Sequence, residues 1–247
     1  MAADGRRHIL AIGGIGAPSS QSQQLPPLIA HALELSGAAA PRVCVLNTAN
    51  GDDPASYVRM YARLSQHGAR PSHLQLFTMP NVTDPADLLL SQDVIFVGGG
   101  SVANMVAVWQ VHGLDQIMRL AWQAGIVLAG VSAGAICWFT GGTTDSFGLE
   151  LRPFTGGLAL VAGSYCPHYS AEPARRPAYQ ALVADGTLAA GIACDDGAAA
   201  HFADDTLEGM VADRPGVTGY LVRPDGRGGS TEEQLPVSVL AADRPPG

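Results

Sequence analysis

The chain predicts an α/β fold with a largely parallel sheet covered by helices on both faces. Three observations carry this. Short, continuously apolar runs such as Val94-Ile95-Phe96-Val97 and Ile126-Val127-Leu128-Ala129 alternate with longer helical stretches, the pattern of strands buried on both sides. Glycine-rich turns follow the strands, at Gly13-Gly14 and Gly98-Gly99-Gly100, so they gather on one sheet edge, where the ligand sites of such folds lie. With 247 residues and 47% hydrophobic content the chain can bury an ample core, and neither a linker nor a repeat divides residues 1–247.

The elements follow in order. His8-Ile9-Leu10-Ala11-Ile12 reads as the first strand, closed by Gly13-Gly14-Ile15-Gly16. Leu25 to Ser36 reads as a helix that Gly37 stops. Arg42 to Leu46 is the second strand, and Ala55 to His67 a helix ending at Gly68. A third strand is expected over Leu74 to Met79, a short helix over Ala86 to Ser91, and the fourth strand over Val94 to Val97. Helices from near Val102 and from Gly113 to Gln123 lead to the strand Ile126 to Gly130. After it the pattern changes. Gly141 to Gly163 is rich in Gly and Thr with short strand-like pieces, and Arg175 to Ala184 reads as a helix. Ile192 to Cys194, Ala198 to Phe202, Leu207 to Val211, Gly219 to Val222 and Val237 to Leu240 suggest short, partly antiparallel strands. The tail from Ala241 is expected to fray.

Composition excludes several functions. A formal charge of −8 and a pI near 5.2 argue against a nucleic-acid surface and an anionic membrane surface. All 14 basic residues are arginine, which removes Schiff-base, pyridoxal-phosphate, Walker-A and Ser-Lys chemistry. Cys44, Cys137, Cys166 and Cys194 are scattered, with no C-x-x-C pair, which points to a reducing compartment and no metal cage. No stretch reads as a signal peptide or a membrane span, so a cytoplasmic location is expected, with no metal or organic cofactor. Whether the chain is a homodimer is left open.

Gly130-Val131-Ser132-Ala133-Gly134 is the most informative segment. It follows an apolar strand and precedes Ala135-Ile136-Cys137-Trp138-Phe139, which can start a helix. Strand, G-x-S-x-G, helix is the context of a nucleophile elbow, with Ser132 at the sheet edge and the N–H of Ala133 facing a developing oxyanion. A serine nucleophile needs a base and a group to orient it. His168, in Tyr165-Cys166-Pro167-His168-Tyr169, lies after the serine in a loop stiffened by proline; His201 competes, inside an apparent strand. Asp145, Glu150, Glu172, Asp195 and Asp196 are candidate acids, and Asp145 follows a turn-rich segment that can bend back toward the nucleophile. The glycine run Gly98 to Gly100 can point backbone N–H groups into a cavity, as a second oxyanion donor must.

Taken in order, Val97-Gly98-Gly99-Gly100, Gly130 to Ala135, Thr143-Thr144-Asp145, Cys166-Pro167-His168-Tyr169 and Asp195-Asp196-Gly197-Ala198 resemble the peptidase E family. These serine peptidases include aspartyl dipeptidase and cyanophycinase. Ile9 to Gly14 also fits, and the likeness runs from about Ile9 to Phe202. The resemblance implies a three-layer α/β/α sandwich like that of class I glutamine amidotransferases, with serine in place of their elbow cysteine. It implies Ser132 as nucleophile, His168 as base, an acid that best matches Asp145 with Glu150 as the alternative, and oxyanion donors Ala133 and Gly100, with Gly99 beside it. The implied substrate is a small peptide or amide. Ser101 departs from the family's usual asparagine, and Trp138-Phe139 fits a broader branch, so machinery transfers better than specificity. An acidic substrate group would need an arginine, for which Arg175 and Arg176 are the candidates. An esterase or amidase using the same triad, and a non-catalytic ligand-binding relative, are the competing readings.

Overall fold

The computed structural model describes residue 2 and residues 4–15 and 24–240. Gly16 of the expected first turn and the tail from Ala241 lie outside the described residues. The strands are β1 (His8–Ile12), β2 (Arg42–Leu46), β3 (Arg70–Leu74), β4 (Val94–Val97), β5 (Val127–Val131), β6 (Gly141–Thr144), β7 (Arg152–Phe154), β8 (Ser164–Cys166), β9 (Gly191–Cys194), β10 (Ala198–Ala203), β11 (Thr206–Ala212), β12 (Gly219–Pro224), β13 (Ser230–Gln234) and β14 (Val237–Val239). The helices are α1 (Pro27–Leu35), α2 (Pro54–Gln66), α3 (Pro85–Leu90), α4 (Val102–Val111), α5 (Leu114–Gln123), α6 (Ala133–Ile136) and α7 (Arg175–Ala184).

The helix starts follow from local chemistry. Proline opens α1, α2 and α3, where its fixed φ suits a first turn and its missing N–H costs nothing. Asp53 caps α2 through the N–H groups of Ala55 and Ser56, Asp84 caps α3 at Ala86, and Ser101 caps α4 at Asn104. Ser101, where the resembled family carries asparagine, thus supplies an equivalent capping oxygen.

The α/β class holds. Eight strands form one sheet in the order β14-β11-β10-β1-β5-β4-β2-β3. The run β1-β5-β4-β2-β3 is parallel, and β10 joins β1 antiparallel. Alternate residues of the central strands feed two cores. Leu10 and Ile12 pack with Leu28, Ile29 and Tyr57 on the α1–α2 face. Ile9 and Ala11 pack with Met105, Trp109 and Met118 of α4 and α5 on the other, where Ala133 and Ile136 of α6 also lie.

The second half differs from one continuous parallel sheet. It builds a separate six-stranded sheet, β13-β12-β9-β8-β6-β7, whose β8 and β9 pack Tyr165, Ile192 and Cys194 into the α4–α6 core. α7 covers its other side, where Tyr179 and Val183 meet Tyr169, Ala193 and Val222. The third strand also differs: it is Arg70–Leu74, paired Arg42↔Arg70 through Leu46↔Leu74, and not Leu74 to Met79. It is the edge of the sheet, where a proline and polar residues are tolerated. Among the described residues no helix is long and apolar enough to cross a membrane.

Candidate active site

Ser132 stands where β5 turns into α6, with φ 55° and ψ −116°. A non-glycine residue with positive φ stores about 1–3 kcal/mol of strain. The turn is enforced by close backbone passage. A methyl group on Gly134 would lie 2.3 Å from the Val97 carbonyl oxygen, and one on Gly130 only 2.0 Å from that of Gly134. The N–H of Ser132 donates to the Ile12 carbonyl at 3.0 Å, which ties the elbow to β1.

His168 arrives from the other sheet. It follows β8, which is anchored to β1 by the Tyr165 hydroxyl donating to the Ala11 carbonyl at 2.9 Å. His168 also has positive φ, 55°, and its loop is held by Tyr169 N–H on the Cys194 carbonyl at 3.0 Å. Its Nε2 lies 2.9 Å from Ser132 Oγ and its Nδ1 2.6 Å from Asp196 Oδ1. Ser132, His168 and Asp196 therefore form one continuous hydrogen-bond chain, part-buried throughout.

The carboxylate that meets His168 is Asp196, and the expected Asp145 lies elsewhere. Asp145 follows β6 with its side chain 60% exposed, and the cation it approaches is Arg175, at 3.9 Å. The β6–β7 hairpin carries it, and no hydrogen bond among the described residues brings Asp145 or Glu150 to His168. Glu172 is bonded to Arg175. Asp195 turns away from the histidine, its Oδ2 accepting the Thr218 N–H at 3.2 Å. Asp196 reaches His168 because Gly13 and Gly14 let the β9–β10 turn lie against the end of β1, where Gly14 bridges Asp196. A methyl on Gly14 would fall 2.0 Å from Asp196 Oδ1 and 2.7 Å from His168 Nδ1. The hydrogen bond from His168 is the main cause holding the Asp196 carboxyl below the usual carboxylate range; the charges of His168, Arg214 and Arg175 add to it, and burial opposes it. The rival base, His201, is bonded instead to His8 Nδ1 at 3.0 Å.

Gly98 to Gly100 passes directly beside Ser132. A methyl on Gly99 would sit 3.3 Å from Ser132 Cβ, whereas Gly100, with φ 138°, turns against the Ala49 carbonyl. Gly99 is thus the glycine that faces the serine. The N–H groups of Ala133, Gly99 and Gly100 make none of the hydrogen bonds found among the described residues.

A cleft of about 170 Å³ opens beyond Gly99 and Val131, between the sheet edge and α2. Asn47, Asn50, Ser56, Arg59 and Arg63 give it a polar wall. The expected arginines lie elsewhere. Arg175 is 3% exposed and is held by Glu172 at 2.5 Å and by the Thr143 carbonyl at 3.0 Å. Arg176 pairs with Glu232 and lies over the rings of Tyr169 and Tyr220. Both are committed to binding α7 to the second sheet. Among the described residues no group of three or more His, Cys, Asp or Glu side chains is arranged to hold a metal ion.

Residues 9–210 match the model of peptidase family S51. The chain is 43% identical over 218 residues to the uncharacterized peptidase YgaJ of Bacillus subtilis strain 168, covering 87% of this chain and 92% of that one. It is 29% identical over 111 residues to peptidase E of Shewanella denitrificans, covering 44% of this chain and 47% of that protein. Among solved structures, a peptidase from an acI-B1 actinobacterium superposes with a TM-score of 0.64 at 18% identity, over 94% of this chain and 95% of that one. A candidate peptidase E of Listeria monocytogenes EGD-e superposes with a TM-score of 0.56 at 16% identity, over 82% and 96%.

Proposed function

The chain belongs to peptidase family S51 and is a serine-type peptidase, and we propose that Ser132, His168 and Asp196 carry its chemistry on short peptides. The observation that supports this is the unbroken chain of contacts from Ser132 Oγ through His168 to Asp196. Ser132 Oγ attacks the scissile carbonyl carbon while its proton passes to His168 Nε2. The carbonyl π electrons move onto oxygen, which the N–H of Ala133 and an N–H of the Gly99–Gly100 turn receive. Collapse breaks the C–N bond, and His168 returns the proton to the departing amine. The acyl-enzyme ester is then hydrolysed by water through the same proton path, freeing the acid and Ser132. Asp196 keeps the Nδ1 proton in place and balances the imidazolium that forms at each stage.

The leaving amine must lie toward His168, which protonates it. The acyl portion then extends the other way, across Gly99 into the cleft beside α2. Arg59 on that wall, which meets Asp53 at 3.7 Å and donates to Ser56 Oγ at 2.9 Å, is the cation a carboxylate-bearing acyl residue would engage, in place of Arg175 and Arg176. The test is a dipeptide panel with N-terminal Asp, Glu, Asn and apolar residues. Ser132→Ala should lose on the order of 10⁶ in rate with the fold intact. Near-wild-type turnover in that variant would exclude the mechanism. Arg59→Met should raise KM for Asp and Glu substrates well beyond its effect on apolar ones, and an equal effect on both would remove the acidic subsite.

A further inference from the structure

The carboxylate on His168 is carried by a three-residue turn, Asp195–Gly197, and that turn is gripped from outside. The segment linking β11 to β12 does the gripping. Asp213 N–H donates to the Gly197 carbonyl at 2.9 Å, and Asp195 N–H donates to the Thr218 carbonyl at 3.0 Å. Arg214 Nη2 donates to the Asp196 carbonyl at 2.8 Å, while its Nη1 donates to Asp213 Oδ1 at 2.8 Å. Gly197, at φ 87°, makes room for this. A methyl there would fall 2.2 Å from Arg214 Nη1, so the guanidinium lies flat against the turn only because the residue is glycine.

We propose that Arg214 is a positioning residue for the proposed triad: by clamping the Asp196 carbonyl it fixes the direction in which the Asp196 carboxylate meets His168. The inference rests on the triad reading above. Arg214 touches neither the nucleophile nor the base and acts through Asp196 alone.

The experiment measures hydrolysis of p-nitrophenyl acetate and labelling by a fluorophosphonate, with Ser132→Ala as the blank. Arg214→Ala should lower kcat about tenfold, the size of one lost charge-assisted hydrogen bond, with KM nearly unchanged. Arg214→Lys, which keeps a donor for the Asp196 carbonyl, should recover part of kcat. In an Asp196→Asn background the further change Arg214→Ala should cost less than about twofold, since the two act as one unit. Wild-type kcat in Arg214→Ala would overturn the proposal. So would a loss of the same size in the Asp196→Asn background. If Arg214→Ala does not fold, Arg214→Gln and Arg214→Lys make the same comparison, the first losing kcat and the second recovering part of it. Failure of the triad itself is seen separately, as turnover retained in Ser132→Ala or Asp196→Asn.

Discussion

Replacing Asp196 by Asn removes one negative charge and leaves the side chain's shape. In the native site the carboxylate oxygen lies 2.6 Å from His168 Nδ1 and can only accept, so Nε2 is left free to take the serine proton. An asparagine can present its NH₂ group there, which favours the opposite tautomer and points a proton at Ser132. The imidazolium of the transition state also loses its counter-charge. With charge centres about 4 Å apart and an effective dielectric near 20, that interaction is worth roughly 4 kcal/mol. Loss of tautomer and charge together should lower kcat by up to about 10⁴. Asp145→Asn should behave differently. Its carboxylate is 60% exposed and meets Arg175 only at 3.9 Å, so its loss should cost at most about 1 kcal/mol, and in stability more than turnover. Initial rates on the dipeptide panel, with thermal melts as a control on folding, separate the two. A collapse of turnover in Asp145→Asn beside a mild effect of Asp196→Asn would refute the assignment; Glu150→Gln should be mild in either case.

Three further outcomes are expected. Gly14→Ala places a methyl 2.0 Å from Asp196 Oδ1, and pushing the dyad apart should cost about 10²-fold or more in kcat; a folded variant with normal turnover would show that the dyad tolerates the shift. Burial first, then the charges of His8 and His31, lower His201 to about 4. The unfolded chain binds that proton more readily. Stability is therefore whole above about pH 6.5 and drains as pH falls toward 4, a slope that His201→Gln should flatten in pH-dependent melts. Burial pushes the Cys44, Cys166 and Cys194 thiols up to about 12, so the native protein should resist a disulfide reagent at pH 8 and release its four thiols only on denaturation. Rapid labelling of the folded protein would contradict the packing around them.

The parallel half of the fold was legible because its central strands are buried on both faces. Val94-Ile95-Phe96-Val97 and the run into Gly130 have no polar residue to confuse the reading. β3 was misplaced by the same rule. Leu74, Leu76, Phe77 and Met79 look more like a strand than Arg70-Pro71-Ser72-His73-Leu74, yet an edge strand needs neither two apolar faces nor every N–H. β13, Ser230–Gln234, is polar throughout, and only its pairing with β12 makes it a strand. At the site, the elbow and the proline-stiffened histidine loop were visible as local motifs, and their contact is a 2.9 Å bond. The carboxylate bonded to that histidine was not, because proximity in sequence favoured Asp145 while proximity in space depends on Gly14 bridging Asp196 across two sheets. The signal available was Asp195-Asp196-Gly197 ending an apolar strand, beside a Gly-Gly pair ending another. The arginines failed for a related reason: a pair on a helix after the histidine looks free in sequence, but Glu172 and Glu232 consume it.

The two sheets divide the proposed machinery between them, with the serine on one, the histidine on the other and the acid at their junction. A chain still emerging from the ribosome has its serine elbow long before Asp196 is synthesised, and later still the strand β10 that lies antiparallel to β1. On the proposed assignment, until that late strand docks onto the earliest one the histidine would lack its partner and the serine its proton path. Proteolytic competence would then coincide with completion of the fold, so nascent and broken chains would be harmless to the peptides around them.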